Sequence, residues 1–299
     1  MLLILVTMVM WAATPLFVRH FASYYDVWTQ NAFRYIFAAS ILLVLGRLGV
    51  IPPYRLNRSQ WVKLALVTAP NALMQTTFAG MYYFIYPAVG SLVSRVNIIF
   101  VTVLSFLIFH DERRVIRSPR FLIGATLAFV GVCSVIIGRD PELLARLNVS
   151  DNDFWIGIGI CVANALFGSL YALTIKHAVR DIPPLVCYRH VSWMTAIVLC
   201  IPLIFAGGVS DLWRQPVLPL ALMAATAILS LVVAHTCYYA ALREIKAVIS
   251  SSIMQLTPVV ACLLSALVYG DHLAPLQLVG GAAVIGGAWL AALAQAKPE

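Results

Sequence analysis

Residues 79–111 read AGMYYFIYPAVGSLVSRVNIIFVTVLSFLIFHD, and residues 239–271 read YAALREIKAVISSSIMQLTPVVACLLSALVYGD. Laid together at a gap-free shift of 160 residues, they match at Ile85/Ile245, Ser91/Ser251, Leu104/Leu264, Ser105/Ser265, Leu107/Leu267 and Asp111/Asp271. Outside this stretch, a shift of 156 lays Leu122-Ile123-Gly124 over Leu278-Val279-Gly280 and Gly131 over Gly287, and a shift of 155 lays Thr14 over Ser169 and Arg34 over Arg189. Equivalent features thus recur in the same order along both halves, the mark of an internal duplication.

The composition says what is duplicated. Of 299 residues, 62% are hydrophobic and 11% charged, against about half and a quarter in soluble domains. Mean hydropathy is +0.92. Crossing about 30 Å of hydrocarbon takes roughly 20 apolar residues per helix. The sequence offers ten such stretches, at Leu2–Val18, Val27–Leu45, Trp61–Phe84, Pro87–Phe109, Phe121–Ile137, Phe154–Ile175, Leu185–Phe205, Val217–Leu242, Ala247–Tyr269 and Leu276–Ala294. The expected fold is an all-α membrane protein of ten transmembrane helices. Because five is odd, the second copy enters the membrane from the opposite side, giving two inverted five-helix repeats. Residues 1–138 form the first repeat, 139–153 a periplasmic linker and 154–299 the second.

The formal charge of +8 would suggest nucleic acid in a soluble protein. Here the cations sit between apolar runs and orient the chain instead. Under ten spans, one side receives Arg47, Arg55, Arg58, Lys63, Arg113, Arg114, Arg117, Arg120, Lys176, Arg180, Arg243, Lys246 and Lys297, and the other only Arg19, Arg139, Arg146 and Arg214. Both termini are expected in the cytoplasm. The first run has no basic n-region and no small-residue cleavage site before Arg19, so it reads as a helix and not as a cleaved signal. Cys133, Cys161, Cys187, Cys200, Cys237 and Cys262 lie in or beside apolar runs without CxxC spacing and read as packing residues; no metal or cofactor site is expected.

Over essentially its whole length the chain resembles the drug/metabolite transporter superfamily, in its EamA-type branch. The likeness is carried by WAATPLFVR at Trp11–Arg19, by Arg34 and Arg189, by YAALREIKA from Tyr239, by Leu256-Thr257-Pro258-Val259-Val260 and by the glycine-rich last run. One departure is that Asp111-Glu112 and Asp271-His272 stand where the family usually has Glu after helices four and nine. The resemblance implies a bacterial inner-membrane exporter of amino acids, carboxylates or other small metabolites, with its site between the two halves.

Polar residues inside apolar runs are the candidate site. Arg95 lies eight residues past Pro87, about 12 Å deep at 1.5 Å per residue, with Ser91 and Ser94 on its helical face and Asn97 beside it. Its guanidinium either binds a substrate carboxylate or phosphate, or holds packing through helix carbonyls and Asn97. Its repeat counterpart is Gln255, beside Ser251. On helix three, Asn71, Gln75, Phe78 and Tyr82 form a stripe at i, i+4, i+7 and i+11, echoed on helix eight by His235 and Tyr238. Cavity lining and plain interhelical hydrogen bonding both fit that pattern. His235 suits either proton coupling or packing. Trp11 and Thr14, beside Pro15, and Tyr171 on helix six complete the candidate lining; Pro15 suits a bend. Arg34 and Arg189, a third of the way into their helices, read as architecture. The glycines of helices five and ten are expected to pack the halves together or to form a homodimer interface.

These residues favour a carrier of a carboxylate-bearing or zwitterionic metabolite working by alternating access. A channel or a lipid-translocating protein is the alternative. An embedded enzyme lacks paired intramembrane aspartates or an HExxH motif, and ATP driving lacks a phosphate-binding loop.

Overall fold

A computed structural model of the chain describes residues 2–108, 117–138, 150–238, 254 and 256–295. Among the described residues every regular element is helical. The helices are α1 (Leu2–Phe21), α2 (Val27–Arg47), α3 (Arg58–Met81), α4 (Pro87–Ile108), α5 (Pro119–Ile137), α6 (Asp151–Ala178), α7 (Pro184–Ala206), α8 (Val217–Tyr238), α9 (Thr257–Tyr269) and α10 (Pro275–Gln295).

Local chemistry sets where they start. The Asp26 carboxylate accepts from the N–H groups of Trp28 and Thr29, and Asn57 with Gln60 forms a reciprocal capping box. Proline opens α4, α5, α7 and α10, where its missing N–H costs nothing. Ser150 caps α6 through the Asp153 N–H, so this helix begins at Asp151, inside the expected linker and earlier than Phe154. The remainder of that linker, and the expected beginning of the ninth span, lie outside the described residues.

Six of these helices, α1, α4, α5, α6, α7 and α8, are each long and apolar enough to cross a membrane. Helices α2 and α3 carry the polar load instead. Thr29, Gln30, Asn31 and Arg34 on α2 and Thr68, Asn71 and Gln75 on α3 are all buried. Large apolar side chains, among them Leu66, Leu107, Ile137, Ile204, Phe205 and Leu267, face outward. A polar interior inside an apolar exterior inverts the soluble arrangement and suits lipid as the solvent.

Helix α2 packs on α7, α4 on α9 and α5 on α10. The last pair is the closest, because Gly124 and Gly131 face Gly287 and Gly280 backbone to backbone. Helix α6 lies along α3 and α4, and α8 lies against α2 and α1. One apolar core joins α4, α5, α6 and the end of α3; a second joins α2, α3, α7 and α8.

Candidate substrate-binding site

The interior is organised by an irregularity in α8. Residues Ala227–Val233 are π-helical, and such a turn frees carbonyls from the regular ladder. Side chains take them up. The Ser230 carbonyl accepts from Trp11 Nε1 at 3.3 Å and from His235 Nδ1, five residues on, at 2.8 Å. The Tyr188 hydroxyl donates to the Leu231 carbonyl. Thr14 and Ser230 share a hydroxyl–hydroxyl bond of 2.8 Å, and Thr7 donates to the Ala234 carbonyl at 3.1 Å. Because a carbonyl only accepts, the His235 proton sits on Nδ1, leaving Nε2 an acceptor.

Above this seam the rings close ranks. His235 lies 4.9 Å from Trp11 edge to face and 4.8 Å from Tyr188 in a parallel stack, and Tyr238 lies 5.1 Å from Trp11. Arg34 reaches into the same group: its charge acts on the hydroxyls of Tyr35 and Tyr188 and on His235. Tyr171 neighbours the Tyr35 and Tyr188 hydroxyls. The amides of Asn71 and Gln75 lie in hydrogen-bonding reach of Tyr35. Asn71 also donates to Thr195 at 2.8 Å, and Asn31 donates to the Gln75 carbonyl at 2.8 Å.

Arg34 is 2% exposed, and its Nε is buried with no hydrogen-bond partner. Among the described residues no carboxylate lies within ion-pairing distance of it. A guanidinium so placed is costly, and intramembrane charges of this kind mark ligand or ion pathways.

Arg95 belongs to a second group. It is half-buried within a tight 3₁₀ turn, Ser94–Val96, and its charge acts on Tyr82, whose hydroxyl hydrogen-bonds with Ser91. Phe78 packs edge-on to Tyr82 at 5.3 Å. Ser94 donates to the Gly90 carbonyl at 2.7 Å and meets Cys161 at 3.2 Å. The Asn97 carbonyl accepts from Ser169 at 3.2 Å, joining α4 to α6.

The sequence candidates therefore divide. Trp11, Thr14, Asn71, Gln75, Tyr171, His235 and Tyr238 gather near Arg34, while Phe78, Tyr82, Ser91 and Ser94 gather near Arg95. Ser251 and Gln255 lie outside the described residues. The α3 stripe joins the two groups, because it runs from Gln75 within α3 to Tyr82, the residue that caps its C-terminal end. Tyr35, Tyr188 and Thr195 were missed, and Arg34 was read as architecture alone. The available signal was a charge flanked by tyrosine and preceded by Gln30 and Asn31 in an apolar run.

At the face poor in arginine the helix ends are tied together. Arg19 Nη1 donates to the Tyr82 carbonyl at 2.7 Å, Tyr269 to the Leu16 carbonyl at 2.7 Å and Tyr83 to the Tyr25 carbonyl at 2.6 Å. Asp26 accepts from the Gly208 N–H at 2.8 Å.

A multi-pass helical bundle with a lipid-compatible exterior, and with two guanidinium groups in a polar, aromatic interior, has the form of a membrane transport protein. The EamA-like transporter family matches residues 1–137 and 155–293, and the chain belongs to that family. It is 24% identical over 277 residues to the uncharacterized transporter YyaM of Bacillus subtilis (strain 168), covering 89% of this chain and 85% of that one. A solved crystal structure of a protein 15% identical superposes with a TM-score of 0.66 over 98% of this chain and 97% of the other, a likeness of fold.

Proposed function

We propose that this transporter is a secondary carrier that exports a small carboxylate-bearing or zwitterionic metabolite by alternating access. In this reading ten helices cross the inner membrane of a bacterium as two inverted five-helix halves, residues 1–138 and 154–299, with both termini cytoplasmic. The double family match and the mutual packing of α2 with α7, α4 with α9 and α5 with α10 support that symmetry.

The observation that carries the proposal is the stripe of buried Asn71, Gln75 and Tyr82 with half-buried Phe78, between Arg34 and Arg95. It offers a solute amide, ring and hydroxyl contacts along the second half of α3 and its C-terminal cap. Both halves contribute to its surroundings, α1, α2 and α4 from the first and α6, α7 and α8 from the second. Rocking of one half against the other would then expose the stripe to each side in turn. The bonds of Arg19, Tyr269 and Tyr83 act as the closed gate on the arginine-poor face. The glycine seam of α5 and α10 is filled within the chain, so a homodimer would use another surface.

Metabolite profiling of the medium from bacteria overexpressing the chain, against cells lacking it, tests the proposal. One or a few carboxylates or amino-acid derivatives should accumulate outside the overexpressing cells. Indistinguishable media across both strains under several growth conditions would contradict export.

A further inference from the structure

The two guanidinium groups differ in a way that bears on the solute. Arg95 sits toward the arginine-poor face, half-buried and close to Tyr82, whose carbonyl is bound by Arg19. Arg34 is fully enclosed, 2% exposed, among rings and neutral amides. Its described surroundings are Tyr35, Tyr171 and Tyr188, the amides of Asn71 and Gln75, and the Trp11–His235 pair. None of these carries a negative charge. Among the described residues, this group therefore holds one positive charge with no carboxylate facing it.

Resting on the carrier reading above, we infer that Arg34 is the anion anchor of the substrate site and that the solute is a small organic monoanion with a flat apolar body. The charge count decides against the other classes. A monoanion neutralises the group and recovers the cost of burying the guanidinium. A zwitterion brings an ammonium for which these residues offer no carboxylate, and a cation adds to a charge already unpaid. The planar fork of arginine matches a carboxylate with two parallel N–H···O bonds, which an ammonium side chain matches less well. Trp11, stacked His235 and Tyr188, and Tyr238 present flat apolar surface to the remainder of the molecule.

The test uses the purified full-length chain in detergent, at constant pH and ionic strength. Its thermal unfolding is followed against rising benzoate, benzyl alcohol or benzylammonium, which share a ring and differ in charge. Benzoate should raise the melting temperature saturably, and the other two should not. Arg34→Gln should weaken benzoate binding by about tenfold or more and Arg34→Lys by less, as expected for a lost charge-assisted pair. Arg214→Gln, on the exposed surface, should leave it unchanged. Equal benzoate affinity in Arg34→Gln and wild type overturns the inference, as does stabilisation of wild type by benzylammonium or the absence of any by benzoate. Where Arg34→Gln fails to fold, the three compounds on wild type decide the matter, and equal stabilisation by all three overturns it. Any of these failures leaves export, read from the medium, standing; unchanged media alongside selective benzoate binding would remove the carrier and keep the anchor.

Discussion

Gly287 on α10 lies so close to Gly124 on α5 that a Cβ added to it would stand 2.5 Å from the Gly124 carbonyl oxygen and 2.5 Å from the Ala128 nitrogen. Both obstacles are backbone, which cannot rotate away. Gly287→Ala should therefore force the helices apart and cost about 1–3 kcal/mol. Its neighbour Gly286 meets nothing within 4 Å, so Gly286→Ala should fall within about 0.5 kcal/mol of wild type. Thermal unfolding of the two variants in one detergent checks the contrast, and equal melting would refute the seam.

A second prediction concerns the π-helical turn. Tyr188→Phe preserves the stack on His235 but leaves the buried Leu231 carbonyl without its donor. A loss of about 1–3 kcal/mol follows. His235→Ala removes the stack, the contact with Trp11 and the bond to the Ser230 carbonyl together, and should cost more. Unfolding curves in detergent that rank His235→Ala above Tyr188→Phe would go against this account.

Asp26 provides a pH dependence outside the membrane spans. Burial alone would push its carboxyl up, but hydrogen bonds from the Thr29 hydroxyl and the N–H groups of Gly208, Thr29 and Trp28 outweigh it and hold the group below the ordinary carboxylate range. A folded value below the unfolded one stabilises the protein above about pH 4, and that contribution disappears as pH falls through the lowered value. Asp26→Ala should cost about 1 kcal/mol at pH 7 through the lost cap. The gap from wild type should close toward pH 3, as read from denaturant midpoints across that range; a gap that widens on acidification would contradict it.

Arg95 separates rate from binding. Toward the arginine-poor face, Arg95→Ala should lower transport about tenfold or more, with Arg95→Lys intermediate, while benzoate affinity changes little. Reconstituted flux unchanged in both variants would take Arg95 out of the transport route.

Much of the interior was legible because a polar residue in an apolar run has few places to go. Asn71, Gln75, His235 and Trp11 stood out on that ground, and the structure brings them together. Which charge they surround was not legible. Arg34 and Arg189 are equivalent in sequence, yet Arg189 packs against Gly46 near the end of α2, whereas Arg34 enters the tyrosine group. Residues that align between two stretches of one chain can still have unlike neighbours in space, and a one-dimensional comparison cannot register that. Tyr35 and Tyr188 look like any core aromatic until the π-helical turn, which has no signature in composition, turns the Leu231 carbonyl toward Tyr188. The early start of α6 follows from Ser150 and Asp153, a cap that hydropathy alone passes over.

Counterflow in proteoliposomes, with the metabolite that profiling of the medium identifies, separates a carrier from a pore. Labelled solute outside should enter saturably and faster when unlabelled solute is loaded inside, and Arg34→Gln should abolish that acceleration. Entry that rises linearly with concentration and ignores the internal solute would contradict a carrier whose halves alternate around a buried site.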